Sequence, residues 1–185
     1  MEKSKKWSVR DLCFIGVFVA IIAVLAQVSI PMPGGIPMTL QTFAVPLAAI
    51  VLGWKKGMIA AVVYILLGAA GAPVFTQFSG GLARVIGPTG GFIFSFPIMA
   101  FIVGFGAERC REFKGIKPLW LATALALGSI VNLSMGMIHL SILNQITLAA
   151  AFSAAVAPFI LLEVIKMALA FVVGPQLWRL LQKIM

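Results

Sequence analysis

The residues best placed to do chemistry are charges in surroundings that disfavour charge. Glu163 and Lys166 lie inside an apolar stretch near the C-terminus, PFILLEVIKMALA (158–170). Three positions apart, they share one face of a helix. An ionisable side chain within a membrane helix costs roughly 2.5–3.5 kcal/mol on insertion scales, so such residues normally face a bundle interior and mark a pathway or a site. A carboxylate and an ammonium can accept from and donate to a polar ligand. They can also simply neutralise each other and pin the helix, and spacing leaves both readings open. Arg84 sits in a glycine-rich stretch, SGGLARVIGPTGG (79–91). It is either a third site charge or a solvated loop cation.

Other candidates are weaker by residue type. Glycines in the 77–91 stretch let backbone approach a ligand and offer N–H donors. GPTGG is not a nucleotide-binding P-loop, because no Gly-Lys-Ser/Thr follows. After the proline-rich PMPGGIPM (31–38) come Thr39 and Gln41. Thr39 suits a helix N-cap, a role that fits Gln41 less well. His139 stands alone, whereas a metal site needs several ligands; a cavity hydrogen bond or a buried helix–helix contact is expected of it. Nucleophile–base signatures such as G-x-S-x-G or H-E-x-x-H are absent from the sequence.

The elements that must hold these groups are membrane helices. Of 185 residues, 62% are hydrophobic and 10% charged, and mean hydropathy is +1.11. A soluble domain has about 25% charged residues, so the composition excludes one and points to an all-α polytopic membrane protein. Six helices are expected, at about 9–30, 39–53, 58–75, 92–107, 119–143 and 158–181, forming a single integral domain over 1–185. Pro158 divides the last apolar stretch into a short segment (147–157) and the final helix. The second, third and fourth runs are short of the roughly 17–25 residues that a span takes. No signal-peptide pattern is evident, and the first run reads as a retained helix.

Net charge is +9, from 14 basic and 5 acidic residues. In a soluble protein this excess would suggest nucleic acid. Here Lys3, Lys5, Lys6, Arg10, Lys55, Lys56, Arg109, Arg111, Lys114, Lys117, Arg179 and Lys183 fall on one side of a six-span topology. By the positive-inside rule that side is the cytoplasm, with both termini in it. The exceptions are Arg84 and Lys166, and Glu163 is the lone intramembrane acid. Gly16 and Ala20 form a small-x3-small pair, extended by Ala23 and Ala26, which allows close helix contact, within the bundle or with a partner. Cys13 and Cys110 lie toward the reducing side, where no disulfide is expected.

Several segments carry a resemblance: GGIPMTLQTFAVPLAAIVLG (34–53), YILLGAAGAPVF (64–75), SGGLARVIGPTGGFIFSF (79–96) and PFILLEVIKMALA (158–170). Together they resemble the BioY family, biotin-binding S components of energy-coupling factor (ECF) vitamin transporters. The resemblance implies a six-helix bundle in the plasma membrane, biotin as transported ligand with no cofactor or metal, and no enzymatic activity. Implied partners are a transmembrane coupling subunit and two ATPase subunits. The family's TLQ segment matches Thr39-Leu40-Gln41. Its GPTGGY matches Gly87 to Phe92, with Phe in place of Tyr. Its D-x-x-K matches Glu163 and Lys166, with Glu in place of Asp. Its Ala-x3-Ala docking motif matches Gly16-x3-Ala20.

On this resemblance Glu163 accepts from a ureido N–H of biotin, Lys166 donates to the ureido oxygen, and Arg84 pairs with the carboxylate. Gln41, Thr39 and loop N–H groups add bonds. Phe92, Phe96 and Tyr64 supply apolar walls, and Asn132 and His139 are further contacts. Two rivals stay open: an S component for another small vitamin, which the Glu-for-Asp change keeps alive, and a small intramembrane enzyme or channel.

Overall fold

The computed structural model describes residues 7–32, 36–112 and 117–182. Lys3, Lys5, Lys6, Lys114 and Lys183, and Gly34 and Gly35 of the first outer loop, lie outside the described residues. Among the described residues eight α-helices run in the order α1 (Val9–Gln27), α2 (Gln41–Leu52), α3 (Trp54–Ala69), α4 (Leu82–Ile86), α5 (Gly90–Glu112), α6 (Lys117–Asn144), α7 (Leu148–Ala155) and α8 (Ile160–Leu181). Between α1 and α2 lies a small antiparallel hairpin, β1 (Ser29–Ile30) on β2 (Met38–Thr39), with Ser29 opposite Thr39. The architecture is otherwise all-helical, and α1, α5, α6 and α8 are each long and apolar enough to cross a membrane.

Several boundaries differ from the hydropathy pattern, each for a tertiary reason. α1 opens with a capping box in which Ser8 and Asp11 exchange side-chain and backbone hydrogen bonds. It ends at Gln27, before the prolines, because the chain turns extended to pair with β2. Gln27 donates to the Val74 and Phe75 carbonyls and accepts from the Phe78 N–H. Trp54-Lys55-Lys56-Gly57 does not close a helix but opens α3. The break between α2 and α3 is one residue, Gly53, at φ +84°, a conformation open to glycine without steric cost. The run at 92–107 becomes the 23-residue α5, its apolar face continuing into the amphipathic segment that carries Arg109 and Arg111.

The 77–91 stretch is also more ordered than an open glycine loop. It contains a 3-10 turn (Thr76–Phe78) and α4. The Gly81 N–H donates to the Gly68 carbonyl at 2.7 Å, and the Gly90 N–H to that of Gly87 at 2.8 Å. These glycines fold the loop back onto α3 and α5.

At one end of the bundle the basic residues meet acids and helix ends. Lys56 pairs with Asp11 at 2.5 Å, joining α3 to α1. The Trp54 N–H donates to Glu108 at 3.1 Å. Arg111 donates to the Ile50 carbonyl in the last turn of α2 and stacks on Trp178 of α8, 4.0 Å from the ring centroid. The hairpin, α4 and the start of α8 lie at the other end. The core is shared by α1, α2, α3, α5, α6 and α8, with Tyr64, Phe18, Phe75 and Phe96 among its largest fully buried side chains. A second cluster ties Ile36 and Met38 of the first loop to Leu140, Ala151, Ala155 and Phe159. Ala26 belongs to the interior (0% exposed), so it does not extend the exposed Gly16–Ala20 surface as expected.

Two glycines distinguish packing from spacing. A Cβ on Gly104 would lie 2.5 Å from the Trp54 Cα and 2.6 Å from its N, whereas one on Gly16 would meet nothing within 4 Å. Gly104→Ala should therefore destabilise the purified protein by about 1–3 kcal/mol, as overpacking does. Gly16→Ala should leave its thermal midpoint unchanged or raise it, since alanine is the better helix former. Thermal unfolding in detergent checks both, and equal effects would contradict this packing of α5 on α3.

Candidate functional site

The site is built around the first turn of α8. Glu163 and Lys166 are 4% and 6% exposed, and their charged groups pair at 2.6 Å. A buried pair needs its remaining lone pairs and protons satisfied, and neighbouring helices do this. Thr42 of α2 donates to Glu163 Oε2 at 2.9 Å, and Ser129 of α6 donates to Oε1 at 3.1 Å. Lys166 Nζ donates to the Thr42 hydroxyl and, at 3.3 Å, to the Thr39 carbonyl. Its three protons are thus matched by Glu163, Thr42 and Thr39. One charge pair joins three helices and the hairpin.

Above it lies a cavity that is partly open to the outside. Its wall includes Thr39, Gln41, Arg84, Phe92, Phe96, Asn132, Glu163 and Lys166 of the residues expected from sequence. They come from β2, α2, α4, α5, α6 and α8. Phe75, Thr76 and Ser79 complete one side. Phe75 N–H donates to the Ser79 carbonyl at 2.9 Å, and between them Gln77 and Phe78 hold left-handed backbone (φ 59° and 52°). This conformation is uncommon for non-glycine residues. The Gln27 contacts with Val74, Phe75 and Phe78 brace the turn.

Two expected contact residues are not on the cavity wall. Tyr64 is fully buried; its hydroxyl accepts from Gln41 Nε2 at 2.6 Å and donates to the Val74 carbonyl at 3.0 Å. It orients Gln41 from behind. His139 is turned to the Gly87 carbonyl, to which Nε2 donates at 2.9 Å, tying α6 to the end of α4. No glycine of the 77–91 stretch lines the cavity either, and the folded loop uses the Gly81 and Gly90 N–H groups internally. Thr39 does not cap α2, which begins after Leu40 without a side-chain cap. Its hydroxyl accepts from the Gln41 N–H and donates to Gln41 Oε1. Phe92 is accommodated by Gly136 of α6, where any Cβ would collide with its ring.

Sequence reasoning missed Thr42, Ser129, Phe75 and Gln27. A signal existed for Thr42, three residues after Thr39 and so on the same face of an entering helix. Ser129 precedes Asn132 by three on α6. Among the described residues no group of three or more His, Cys, Asp or Glu could hold a metal ion.

The electrostatics of the cavity follow from this pairing. Glu163 and Lys166 cancel. Arg84 is exposed, and its guanidinium makes no hydrogen bond or ion pair with the described residues. The wall therefore carries one net positive charge at α4.

The BioY family model matches residues 1–183. The chain belongs to the BioY family. It is 39% identical over 172 residues to the biotin transporter BioY of Thermotoga maritima, covering 92% of this chain and 97% of that one. It is 37% identical over 168 residues to the probable biotin transporter BioY of Pyrococcus horikoshii, covering 91% and 96%. With the biotin transporter BioY2 of Lactococcus lactis subsp. cremoris, identity is 36% over 181 residues, covering 98% and 95%. Among solved structures, the S-component for biotin from an ECF-type ABC transporter superposes with a TM-score of 0.85 at 27% identity, covering 97% of this chain and 95% of that chain. The chain is thus a helical membrane protein of a transporter family.

The pairing predicts a specific pattern of stability. Glu163→Gln or Lys166→Met leaves a partner charge buried and should cost about 3–5 kcal/mol. Replacing both by Leu and Met should cost less than either single change. Chemical unfolding of the four proteins tests this, and additive losses would contradict a mutually compensated pair.

Proposed function

We propose that this chain captures biotin from outside the cell, as the substrate-binding multi-pass subunit of an ECF-type transporter in the plasma membrane. The observation that carries the reading is the cavity: an unpaired guanidinium over a closed floor of matched charges, with phenylalanine walls. Such a site suits a small ligand with one anionic group and a neutral polar ring. Biotin has a carboxylate, a thioether ring and a ureido ring. Its assignment as the ligand rests on the family and on relatives that are biotin transporters.

In this reading Arg84 pairs with the carboxylate through its planar fork. Phe92, Phe96 and Phe75 pack on the bicycle, and Thr39 and Gln41 line the hairpin side. Glu163 accepts one ureido N–H on its remaining Oε1 lone pair. Lys166 reaches the ureido oxygen by exchanging its longest bond, that to the Thr39 carbonyl. A small anionic ligand with a rigid bicycle in a water-poor site can reach nanomolar affinity, about −12 kcal/mol.

The basic end of the bundle faces the cytoplasm, as the positive-inside rule requires. Gly16 and Ala20 are exposed on α1 while Ile15, Phe18, Val19 and Ile22 face the core. The small pair is therefore left for a partner, and we assign it to the transmembrane coupling subunit. Two ATPases acting through that subunit drive release inward. The chain itself binds and does not transform its ligand.

The test is equilibrium binding to purified protein. Arg84→Ala should weaken biotin binding at least about tenfold, the worth of a charge-assisted bond. Biotin methyl ester should lose much less. Equal losses for acid and ester would contradict the carboxylate role of Arg84.

A further inference from the structure

Asn132 carries an unmatched buried acceptor. It is fully buried in the middle of α6 and contributes to the cavity wall. Its Nδ2 donates to the Phe92 carbonyl at 3.1 Å and to Ser95 Oγ at 2.5 Å. Its Oδ1 has no hydrogen-bond partner, the one buried side-chain polar atom among the described residues in that state. A buried acceptor without a donor is destabilising and is rare in folded proteins.

The orientation of the amide is determined by its neighbours. Ser95 donates its hydroxyl proton to the Phe92 carbonyl at 2.7 Å. Ser95 Oγ can therefore only accept from Asn132. The Phe92 carbonyl can only accept as well. Turning the amide over would set Oδ1 against the Phe92 carbonyl, an obligate acceptor, so α5 holds the amide nitrogen and leaves the oxygen over.

The donors nearest in the site are already committed. Lys166 spends its three protons on Glu163, Thr42 and Thr39, and Ser129 spends its one on Glu163. Ser129 lies one helical turn from Asn132 on the same face of α6. Asn132 and Glu163 both line the cavity, and Asn132 lies one helical turn from the serine that donates to that carboxylate.

We infer that Asn132 Oδ1 is the acceptor for the second ring N–H of the ligand, so that Glu163 and Asn132 together require a ring with two N–H donors. This rests on the reading of the cavity as a biotin site and assigns the specificity within it. Asn132 then discriminates against rings that present oxygen or a bare nitrogen lone pair at that position. Such a ring would set acceptor against acceptor.

The experiment uses the full chain in detergent, biotin, and the two cyclic carbamate analogues in which one or the other ring N–H is replaced by oxygen. In the wild type each analogue should bind about tenfold or more weakly than biotin. In Asn132→Leu, biotin binding should weaken by a similar factor, and the penalty for one analogue should fall below about threefold while the other persists. Asn132→Ala, which adds no bulk, gives the same comparison if the leucine variant does not fold. Analogue penalties that are unchanged in both variants would overturn the assignment and would instead fit a bound water on Oδ1. Wild-type penalties below about threefold for either analogue would overturn it without any variant. If wild-type protein binds no biotin at all, the reading of the cavity fails, and this assignment falls with it.

Discussion

The Glu163–Lys166 pair is the interaction on which the rest of the site depends. Two charges 2.6 Å apart in an apolar bundle are tolerable only if every remaining proton and lone pair near them is matched. That demand reaches outward. Thr42 must sit against α8, which sets how α2 begins. Thr39 must present its carbonyl, which sets the hairpin between α1 and α2. Ser129 must face the carboxylate, which sets the rotation of α6. The pair contributes little net stability of its own, and its effect is to specify one arrangement of three helices.

With the pair largely satisfied within the protein, two further groups of the wall are left open. Arg84 supplies one net positive charge near the mouth and Asn132 one unmatched acceptor in the wall. In the proposed reading these two open demands select for an anion through Arg84 and an N–H donor through Asn132. The opposite end of the bundle follows a different logic. There Lys56, Arg111 and Glu108 are spent on Asp11, on the last turn of α2, on Trp178 and on the Trp54 N–H. Those charges lock helix ends together, whereas Arg84 at the other end is left without a partner among the described residues.

Much of this was legible because charge in an apolar run is informative whatever the fold. Glu163, Lys166 and Arg84 stood out by type and position alone. The long helices were legible from hydropathy, and the family from four ordered segments. The boundaries were less so. Gln27 ends α1 through contacts with residues about fifty positions away, which no local pattern contains. Trp54-Lys55-Lys56 looks like a loop, yet a single glycine at φ +84° suffices to separate two helices. Tyr64 and His139 were the right residue types facing other partners. A hydroxyl or imidazole has one preferred bond to make, and the 74 and 87 carbonyls take those bonds. Asn132 was visible as a polar residue on a membrane helix, but its free oxygen became visible only with Ser95 and Phe92 in place.

The central claim is that this cavity recognises biotin rather than a vitamin of another shape. Titration calorimetry of the purified full-length protein with biotin, thiamine, riboflavin and lipoate tests it most directly. Biotin should bind saturably at one site per chain in the nanomolar range, with none of the other three binding within about a hundredfold of it, a gap of roughly 2.7 kcal/mol. Tighter binding of any of the three, or no saturable binding of biotin, would contradict it.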